Sequence, residues 1–429
     1  MSSRIAVIGT GYVGLTTGAC FAQLGHDVTC ADIDAEKVAM LNEGRIPIHE
    51  EGLENIVREA VKEGRLRFVL GAANAVEGRE FVYLCVPTPQ LPDGSADLSY
   101  IQGAAAEIAP YLDRSAIVIN KSTVPVGSTR RVEQALGRPD VTVVSNPEFL
   151  REGSAVNDFL NPDRVVIGAD DQGAATRVAS LFLGTRAPIL VTDPASAETT
   201  KYASNAFLAT KLSFVNAVAA VCEAVGADVN DVMLGIGYDR RIGHEFLRPG
   251  PGWGGSCFPK DTRAMISIAE EGGYDFTLLR GVIEVNDEQF DRVAAKILSA
   301  ISGNVATSRV GVLGLTFKAG TDDVRESPSV EIARRLLAAG ASVRGYDPAI
   351  SSLPNDLGVN DVEVVDDPYA AAEGASVLVV LTEWDDFKWL DLDKLGETMA
   401  EKNIVDARNI LDRGAVRRAG FSYQGIGRN

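Results

Sequence analysis

A glycine pattern placed directly after an apolar strand limits the folds open to this chain more than any other feature. Residues 4–9 read as a short buried strand that runs into Gly9, Gly11 and Gly14 at the spacing G-x-G-x-x-G. The next stretch has helical composition, and a second apolar strand ends at Asp32, 18 residues after Gly14. This order of strand, glycine turn, helix, strand and acid predicts a Rossmann unit that binds a dinucleotide.

Each glycine of the pattern has its own physical reason. Gly9 permits the tight turn, Gly11 lets the backbone approach a pyrophosphate, and Gly14 lets the helix pack on the strand. The N-terminus of that helix then faces the phosphates. A carboxylate at Asp32 accepts hydrogen bonds from both ribose hydroxyls of NAD and repels the 2′-phosphate of NADP, so the sequence predicts NAD as the cofactor. Lys37 is predicted to contact phosphate or ribose nearby.

Alternating strand and helix patterns continue the first domain and predict a parallel sheet. The further strands are predicted at residues 80–86, 116–120 and 141–145. Polar turns follow them, and these turns contain Thr88, Thr123 and Glu148. Because ligands bind beyond the carboxyl ends of the strands in an open parallel sheet, the turns are predicted to form the rim of the active site. Turns that contain proline are also common without any function, and that interpretation stays open.

One long helical pattern covers residues 196–225 without an internal proline or glycine. At 1.5 Å per residue, a helix of about 30 residues spans about 45 Å, which is more than one small domain needs. The pattern therefore predicts a helix that connects two domains and helps to form a dimer interface. Lys201 and Asn205 lie four residues apart and so share one face of this helix.

Residues 309–315 and 342–347 repeat the strand patterns of the N-terminal segment, which predicts a second Rossmann-like domain. Its first turn, residues 314–320, lacks the three-glycine spacing, so this domain is predicted to bind something other than a dinucleotide pyrophosphate. Three cations supply positive charge for an anion, although each could equally form a surface salt bridge. They are Lys318, Arg325 and Arg408.

The predicted fold class is α/β, with two Rossmann-like, doubly wound parallel-sheet domains joined by a central helical domain that contains the long helix. The predicted boundaries are residues 1–195 for the NAD-binding domain, 196–300 for the central helical and dimerisation domain, and 301–429 for the second Rossmann-like domain. At about 150 residues per domain, a chain of 429 residues has room for this division.

Composition argues against several classes of partner and site. The chain has 41 Lys and Arg against 59 Asp and Glu, and the resulting net charge of −18 argues against a nucleic-acid partner or an anionic membrane surface. No stretch approaches the roughly 18 uninterrupted apolar residues of a membrane span. Five scattered cysteines without a C-x-x-C pair indicate a reduced, cytoplasmic protein. With only three histidines, none four residues from another, a metal site or a Ser-His-Asp triad is not expected.

The segment from residue 250 to residue 265 carries the most chemistry. Four glycines in six residues let the backbone approach a ligand, and Pro259 suits the first turn of a following helix. Cys257 is therefore predicted at a helix N-terminus, where the dipole and Lys260 stabilise a thiolate and lower its pKa. A thiolate can capture an aldehyde as a thiohemiacetal, hold it as a thioester after oxidation, and release it to water as an acid. The other four cysteines are interpreted as small buried hydrophobes.

Taken together, the motifs resemble those of the UDP-glucose/GDP-mannose dehydrogenase family, and within it the UDP-glucose branch. Besides the glycine turn, the resemblance rests on Lys-Ser-Thr-Val-Pro at 121–125, Asn-Pro-Glu-Phe-Leu-Arg-Glu-Gly at 146–153, Lys201 with Asn205, Gly-Gly-Ser-Cys-Phe-Pro-Lys-Asp at 254–261, and Phe-Lys-x-x-Thr-Asp-Asp-x-Arg-x-Ser-Pro at 317–328. It implies a four-electron oxidation in which UDP-glucose, two NAD⁺ and water give UDP-glucuronate and two NADH. It also implies a homodimer or a higher homo-oligomer.

The resemblance implies a role for each matching residue. Cys257 is the covalent nucleophile, Asp261 and Thr123 position or activate the water, and Lys201 and Asn205 stabilise the oxyanion at C6 beside Glu148. The implied NAD contacts are Gly9, Gly11, Tyr12, Val13, Gly14, Asp32, Lys37, Thr88, Thr123, Glu152, Lys260 and Arg325. The implied sugar-nucleotide contacts are Glu148, Phe149, Leu150, Arg151, Glu152, Lys201, Asn205, Phe246, Leu247, Arg248, Pro249, Gly250, Gly254, Lys318 and Arg408, with Arg241 reaching in from the neighbouring subunit.

Two positions depart from the family pattern, because Ala407 stands where glycine is usual and Trp253 where tyrosine or phenylalanine is commoner. Neither change removes a reacting group. A GDP-mannose 6-dehydrogenase would keep Cys257, Lys201 and Asn205 and is the alternative enzyme. A two-electron hydroxyacid dehydrogenase would not need Cys257, and a non-enzymatic NAD-responsive module would bind nucleotide sugars without turnover.

Overall fold

The computed structural model describes residues 2–91 and 96–428. By its internal contacts the chain divides into two compact units. The first unit comprises Met1–Ser204 and Arg263–Gly272, and the second comprises Asn205–Thr262 and Gly273–Asn429.

The first unit contains an eight-stranded sheet. Its strands are β1 (Arg4–Ile8), β2 (Asp27–Asp32), β3 (Leu66–Leu70), β4 (Phe81–Leu84), β5 (Ile117–Asn120), β6 (Thr142–Ser145), β7 (Val165–Gly168) and β8 (Ile189–Thr192). They lie in the order β3-β2-β1-β4-β5-β6-β7-β8, and they pair in parallel except where β6 meets β7. The order reverses between β1 and β4, and in such sheets a nucleotide binds beyond the carboxyl ends of the strands at that point.

Helices cover this sheet on both faces, as a mainly parallel sheet requires. They are α1 (Tyr12–Gln23), α2 (Ala35–Asn42), α3 (Leu53–Lys62), α4 (Ala73–Val76), α5 (Ser99–Ile108), α6 (Ser128–Leu136), α7 (Ala155–Leu160) and α8 (Gln172–Ser180), with 3₁₀ turns at Ala109–Tyr111 and Leu183–Thr185. Successive strand side chains point to opposite faces, so Ile5 and Val7 of β1 join one apolar core while Ala6 and Ile8 join the other.

The long helix predicted from the sequence is present as α9 (Pro194–Val225), which begins in the first unit and ends in the second. By length and apolar composition alone it could cross a membrane, and a third of its most apolar window is buried. Lys201 and Asn205 are also buried along it. The prediction of one unbroken helix here is confirmed, with a start two residues earlier than expected.

The second unit contains a six-stranded, fully parallel sheet. Its strands are β9 (Arg309–Leu313), β10 (Ser342–Tyr346), β11 (Val362–Val364), β12 (Val377–Val380), β13 (Asn403–Asp406) and β14 (Ser422–Gly425), in the order β11-β10-β9-β12-β13-β14. The further helices are α10 (Val229–Gly237), α11 (Phe258–Glu271), α12 (Thr277–Ser299), α13 (Pro328–Ala338), α14 (Pro368–Ala372), α15 (Leu392–Thr398) and α16 (Arg413–Arg418), with 3₁₀ turns at Val305–Thr307, Asn355–Leu357 and Asp385–Trp389.

The internal repeat extends to individual hydrogen bonds. In the first sheet the backbone N–H of Thr10 and its hydroxyl both donate to Asp32 at the end of β2, the former at 3.0 Å. In the second sheet Thr316 donates in the same way to Asp347, which follows β10, at 3.0 and 2.9 Å. The predicted second Rossmann-like domain is therefore confirmed.

The predicted three-domain boundaries remain a prediction. The helical segment between the two sheets does not form a separate core in the second unit. Val215 of α9 and Val293 of α12 share one apolar core with Val310 and Val312 of β9. Shared burial of this kind merges a helical layer with the sheet that it covers.

Candidate active site

The three glycines of the first turn are required for three different reasons. Gly9 has a φ of +93°, and a Cβ there would lie 2.7 Å from the carbonyl oxygen of Cys85, so only glycine fits. A Cβ on Gly14 would overlap the carbonyl oxygen of Gly9. A Cβ on Gly11 would meet no atom of the protein within 4 Å. Packing alone does not demand glycine at position 11, but close approach by a pyrophosphate does, so these residues fit NAD.

Asp32 lies beside this turn at the carboxyl end of β2. Burial alone would raise the pKa of its carboxyl group, but hydrogen bonds from Thr10, from the N–H of Asp34 and from Lys37 outweigh burial and lower the pKa to about 2. The Lys37 ammonium lies 3.1 Å from the carboxylate. Asp32 is thus held as an anion in the place predicted for the ribose acceptor, with Lys37 as its partner.

Tyr12 and Val13 open α1 directly after the glycine turn. Val13 packs on the apolar core. The Tyr12 hydroxyl contacts the buried carboxylate of Glu50 and accepts a hydrogen bond of 2.8 Å from the N–H of Gly153, which itself lies 2.7 Å from Glu50. Tyr12 therefore ties the glycine turn to the loop that follows β6. Glu50 had no signal in the sequence, because its partners lie 38 and 103 residues away.

The turns after β4, β5 and β6 meet through Thr88, Thr123 and Glu148. The Thr88 hydroxyl donates to the carbonyl oxygen of Thr123 at 2.8 Å, and the Thr123 hydroxyl lies 3.5 Å from Glu148 Oε1. Lys201 Nζ lies 2.8 Å from the same Glu148 oxygen, and both side chains are buried. Burial opposes ionisation of Glu148, but the Lys201 charge, a Lys201 hydrogen bond and the N–H of Leu150 lower its pKa below the ordinary range. The structure brings these predicted residues together as one charged cluster.

The rest of the loop after β6 is more exposed. Phe149 stacks under Arg164 at 3.7 Å from ring centroid to guanidinium carbon, and Lys201 Nζ lies 5.7 Å from the same ring. Leu150 packs partly on the core. Arg151 pairs with Asp158 at 2.6 Å, and Glu152 is half-buried. The sugar-nucleotide and NAD contacts assigned to these residues remain predictions.

Lys121 is a buried cation whose role the sequence did not indicate, because lysine is almost always exposed. Its ammonium lies 5.8 to 6.0 Å from the ring centroids of Tyr83, Phe159 and Phe182 and 3.3 Å from Asn146 Oδ1. Burial lowers the pKa of Lys121 to about 8, although the nearby Glu148 charge opposes this shift. Lys121 is therefore a second buried cation near the Glu148–Lys201 pair.

In the second unit, Cys257 immediately precedes α11, and its carbonyl oxygen accepts the 2.8 Å hydrogen bond from the N–H of Asp261 that opens the helix. The predicted position of the thiol at a helix N-terminus is confirmed. Asp261 is buried, and its two carboxylate oxygens accept from Lys260 Nζ at 2.7 Å and from Asn205 Nδ2 at 2.5 Å. Lys260 thus pairs with Asp261, and its predicted NAD contact remains untested.

The remaining cysteines differ from Cys257, which is partly exposed. The other four, Cys20, Cys30, Cys85 and Cys222, are free thiols and are buried. Burial raises the pKa of the Cys20 and Cys85 thiols to about 12, and it raises the pKa of Cys30 as well. Their interpretation as small hydrophobes fits this environment. In the described part of the chain no group of His, Cys, Asp and Glu side chains could hold a metal ion.

Side-chain amides hold the glycine loop before Cys257. Asn216 of α9 accepts from the N–H of Gly250 at 2.9 Å, and Gln289 of α12 donates to the Gly250 carbonyl oxygen at 2.7 Å. Asn286 accepts from the N–H of Trp253 at 2.8 Å and donates to its carbonyl oxygen at 2.9 Å. We call Asn216, Asn286 and Gln289 the amide clamp. Sequence reasoning missed it, because amides inside helices carry no spacing signal.

The residues of this loop are packed closely. A Cβ on Gly254 would overlap the Glu326 carbonyl oxygen, and Phe246 adopts a left-handed φ of +60°. Leu247, Pro249 and Gly250 are buried, whereas Arg248 is exposed. Trp253, a departure from the family pattern, donates its indole N–H to Ser213 at 2.9 Å. The loop is therefore a fixed surface over residues 246–255, where the sugar nucleotide is predicted to lie.

The predicted anion-binding cations have different environments. Arg408 follows β13 and is anchored by its Nε to the Leu381 carbonyl oxygen at 2.8 Å and to Glu383 at 3.0 Å. Lys318 stands in the turn after β9, with its Nζ 5.5 Å from the Phe317 ring centroid. Both lie at the carboxyl ends of strands, where ligands of such sheets bind.

Two other predicted arginines are largely exposed and are paired on the surface. Arg325 makes a two-pronged contact with Asp323, at 2.9 Å from Nε and 2.6 Å from Nη2. The Arg241 side chain is 89% exposed and pairs with Asp239 at 2.6 Å. The surface salt bridge left open for Arg325 is thus present. An exposed Arg241 is what a residue aimed at a neighbouring subunit requires, although that role remains a prediction.

Three family models match successive parts of the chain. All describe the UDP-glucose/GDP-mannose dehydrogenase family: its NAD binding domain matches residues 3–185, its central domain residues 195–288, and its UDP binding domain residues 311–413.

Individual relatives match over the full length. The chain is 46% identical to a UDP-glucose 6-dehydrogenase of Rhizobium meliloti (strain 1021), with 99% of each chain covered. Among solved structures, a UDP-glucose dehydrogenase from Pyrobaculum islandicum matches with a TM-score of 0.89 and 39% identity, covering 100% of this chain and 98% of its own. A UDP-D-ManNAc dehydrogenase from Pyrococcus horikoshii matches with a TM-score of 0.88 and 30% identity, covering 99% of each. Fold similarity is nearly equal for these two structures, so the fold alone does not distinguish enzymes that are named for different sugars.

Proposed function

The chain belongs to the UDP-glucose/GDP-mannose dehydrogenase family, and from this premise we propose that it oxidises UDP-glucose to UDP-glucuronate through a covalent intermediate on Cys257. It is an NAD-dependent oxidoreductase. The overall reaction consumes two NAD⁺ and one water, and it yields the carboxylate, two NADH and three protons. The observation that carries the proposal is a half-buried cysteine at the N-terminus of α11, about one turn before Asp261, whose carboxylate accepts a hydrogen bond from Asn205.

NAD, when bound, accepts a hydride from C6 in each of the two oxidations. Gly9, Gly11 and Gly14 would hold its pyrophosphate at the N-terminus of α1, and Asp32 would accept from the ribose hydroxyls. The pKa of Asp32 near 2 keeps that acceptor ionised at neutral pH.

Cys257 supplies the covalent step. Its thiolate adds to the C6 aldehyde left by the first oxidation and forms a thiohemiacetal, and the second oxidation converts this adduct to a thioester. Cys257 immediately precedes α11, and the dipole at a helix N-terminus favours a negatively charged group there. Water then attacks the thioester carbonyl carbon, the carbon–sulfur bond breaks, and the thiolate is regenerated.

Lys201 and Asn205 are proposed to donate to the oxygen on C6 when it carries negative charge. They lie one turn apart on α9, where Lys201 pairs with Glu148 and Asn205 donates to Asp261. An ammonium and a side-chain amide are both hydrogen-bond donors. Preorganised donors of this kind are worth about 10²- to 10³-fold in kcat each.

Asp261 and Thr123 are proposed to orient the attacking water. The Asp261 carboxylate is fixed from both sides by Lys260 and Asn205, so its remaining lone pairs have a set direction. Thr123 keeps its hydroxyl 3.5 Å from Glu148. Lys318 and Arg408 would bind the charged end of the sugar nucleotide.

We further propose a homodimer or higher homo-oligomer in a reduced, cytoplasmic setting, without a nucleic-acid or membrane partner. The face of α9 that carries Phe207, Phe214, Val221 and Val225 supports assembly, since these side chains are 65%, 56%, 58% and 71% exposed. Spacings of seven, seven and four residues place them along one stripe. The five scattered cysteines, which include no C-x-x-C pair, support a reduced compartment. The net charge of −18 supports the absence of a nucleic-acid or anionic-membrane partner.

The test is the number of NADH molecules released per UDP-glucose when sugar is limiting and NAD⁺ is in excess, read from NADH absorbance. We expect two for the native protein and loss of steady turnover for Cys257→Ser. Cys222→Ser, which removes a buried thiol from the same unit, is the matched control and should still give two. One NADH per sugar, unchanged by Cys257→Ser, would instead indicate a two-electron dehydrogenase, and faster turnover of GDP-mannose would contradict the proposed substrate.

A further inference from the structure

Glu198 is a buried carboxylate on α9 that no step of the proposed reaction uses. Its side chain lies in the first unit, three residues before Lys201, and the residue is 2% exposed. A carboxylate is rarely taken out of water to this degree unless hydrogen bonds hold it there.

The partners of Glu198 are the first donors of another helix, α6. Oε2 accepts from the N–H of Gly127 at 2.7 Å, and Oε1 accepts from the N–H and the hydroxyl of Thr129 at 2.9 and 2.7 Å. The N-cap residue of α6 is Gly127, which has no side chain to cap its own helix and adopts a φ of +90°. Burial raises the pKa of Glu198, while these hydrogen bonds oppose the rise. Glu198 therefore caps α6 from a neighbouring helix.

This cap also fixes the segment that leads into α6. Residues 121–127 join β5 to α6, and the Lys121 N–H at their start donates to the Leu84 carbonyl oxygen at 3.1 Å. With Glu198 holding the other end, both ends of the segment are anchored. Thr123 lies in its middle, and its hydroxyl points to Glu148 at 3.5 Å.

The same helix that carries Glu198 reaches Glu148 from the other side. Lys201 lies about one turn further along α9, and its Nζ is 2.8 Å from Glu148 Oε1. A closed ring results, which runs from Glu198 through the start of α6 to Thr123, then to Glu148, then to Lys201 and back along α9. Every link of this ring lies in the first unit.

We propose that Glu198 is a positioning residue for the dehydrogenase reaction: it locks residues 121–127 onto α9 and so sets Thr123 and Lys201 around Glu148. The proposal rests on the proposed function. It predicts that loosening the cap harms the chemical steps more than the binding of either ligand, because the hydrogen bonds of Glu198 in the described part of the chain hold the segment that aligns the reacting groups. Misplacement of such groups by about 1 Å can cost about 100-fold in rate.

Glu198→Gln is the direct test. The variant keeps the size of the side chain but turns an NH₂ group toward backbone N–H donors and removes the charge at the start of α6. We expect kcat to fall about tenfold or more, while KM for NAD⁺ and for UDP-glucose stays within about twofold. Thr129→Ala, which deletes one of the three contacts, should show a smaller loss, and Thr129→Ser, which restores the hydroxyl, should recover it.

The matched control is Asp171→Asn. Asp171 caps α8 in the same unit by accepting from the N–H of Ala174 at 2.7 Å, and it is exposed. Its variant should lower the melting temperature as a lost helix cap does and leave kcat unchanged. If Glu198→Gln lost activity only in proportion to its unfolded fraction, or kept the native kcat, the positioning role would be refuted.

A second measurement does not depend on the substrate. Hydrogen–deuterium exchange of the backbone should become faster across residues 121–129 in Glu198→Gln and stay native-like there in Asp171→Asn. Unchanged exchange in this segment would overturn the proposal even if the native protein failed to oxidise UDP-glucose. If the native protein did not oxidise UDP-glucose but Glu198→Gln still showed faster exchange, only the proposed function would be rejected.

Discussion

The buried Lys121 ammonium shows how one residue of a charged site can lower the folding stability of the protein. The ring centroids of Tyr83, Phe159 and Phe182 lie 5.8 to 6.0 Å from the ammonium, which donates to Asn146 Oδ1 at 3.3 Å. Burying a cation is costly unless opposite charge compensates it. Here compensation comes from Glu148, which also pairs with Lys201, so one carboxylate faces two buried cations.

This arrangement predicts a pH dependence with a defined sign. The pKa of Lys121 is about 8 in the folded protein, below its ordinary value of 10.5, so between these two pH values the unfolded chain binds the extra proton. Stability contributed by this site must therefore rise with pH from about 8 to about 10.5 and be constant below 8.

Lys121→Met removes the titration. The free energy of unfolding of the native protein should increase relative to that of the variant as the pH rises through this window. Chemical denaturation at a series of pH values measures the difference, with Lys62→Met on the exposed surface of α3 as the matched control. A difference that stays flat from pH 7 to pH 10 would contradict the assignment.

At the scale of single elements, the glycine turn before α1 contains one glycine that folding requires and another that cofactor binding requires. Gly14→Ala brings a Cβ onto the Gly9 carbonyl oxygen and should destabilise the first unit, by about 1–3 kcal/mol as overpacking does. Gly11→Ala meets no protein atom within 4 Å and should keep the melting temperature within about 1 °C, yet raise KM for NAD⁺ about tenfold or more. Thermal unfolding and NAD⁺ titration of both variants check the pair. Equal loss of stability in the two would show that the turn has no ligand-specific glycine.

Elements with a strong local pattern could be predicted, and elements set by distant partners could not. The glycine turn, α9 and the helix after Cys257 follow from spacing and composition, and all three are present. Strands β3, β7, β8 and β11 to β14 were not predicted. For β8 the reason is that the strand is half-exposed and shows no apolar alternation. The antiparallel pairing of β6 with β7, Ser145 with Gly168, depends on tertiary packing that no short stretch of sequence encodes.

The same division holds for the functional residues. Thr123 and Glu148 could be placed near one another, because turns after neighbouring strands of a parallel sheet meet at one edge. Lys201 could be placed beside Glu148 only through the family resemblance. Glu198, Glu50 and the amide clamp could not, since their partners are 33 to 106 residues away in the chain. Residues that react are marked by their chemical type, whereas residues that hold them depend on the fold.

For the whole molecule, the position of Arg241 predicts dependence on assembly. Its side chain is 89% exposed and pairs with Asp239 on the surface, so within one subunit it faces solvent. If it completes the site of a neighbouring subunit, Arg241→Ala and Cys257→Ser should each be inactive alone. A mixture that exchanges subunits should regain about a quarter of native activity, because half of the dimers are hybrids with one complete site each.

Sedimentation and activity measured on the same mixture test this prediction. The stripe variant Phe207→Glu with Phe214→Glu, which places charge on the exposed face of α9, should shift the protein toward monomer and abolish the complementation. Complementation that never appears in a mixture shown to contain hybrids would remove Arg241 from the site.

The amide clamp has a consequence for how the protein responds to its surroundings. Asn216, Asn286 and Gln289 hold the glycine loop with neutral groups, so neither proton concentration nor ionic strength acts on their hydrogen bonds directly. Capture of a charged sugar nucleotide by a chain of net charge −18 must weaken or strengthen with salt, but the surface that receives the sugar should not change shape. Salt therefore changes the rate at which the ligand associates, and the geometry of the binding surface stays the same.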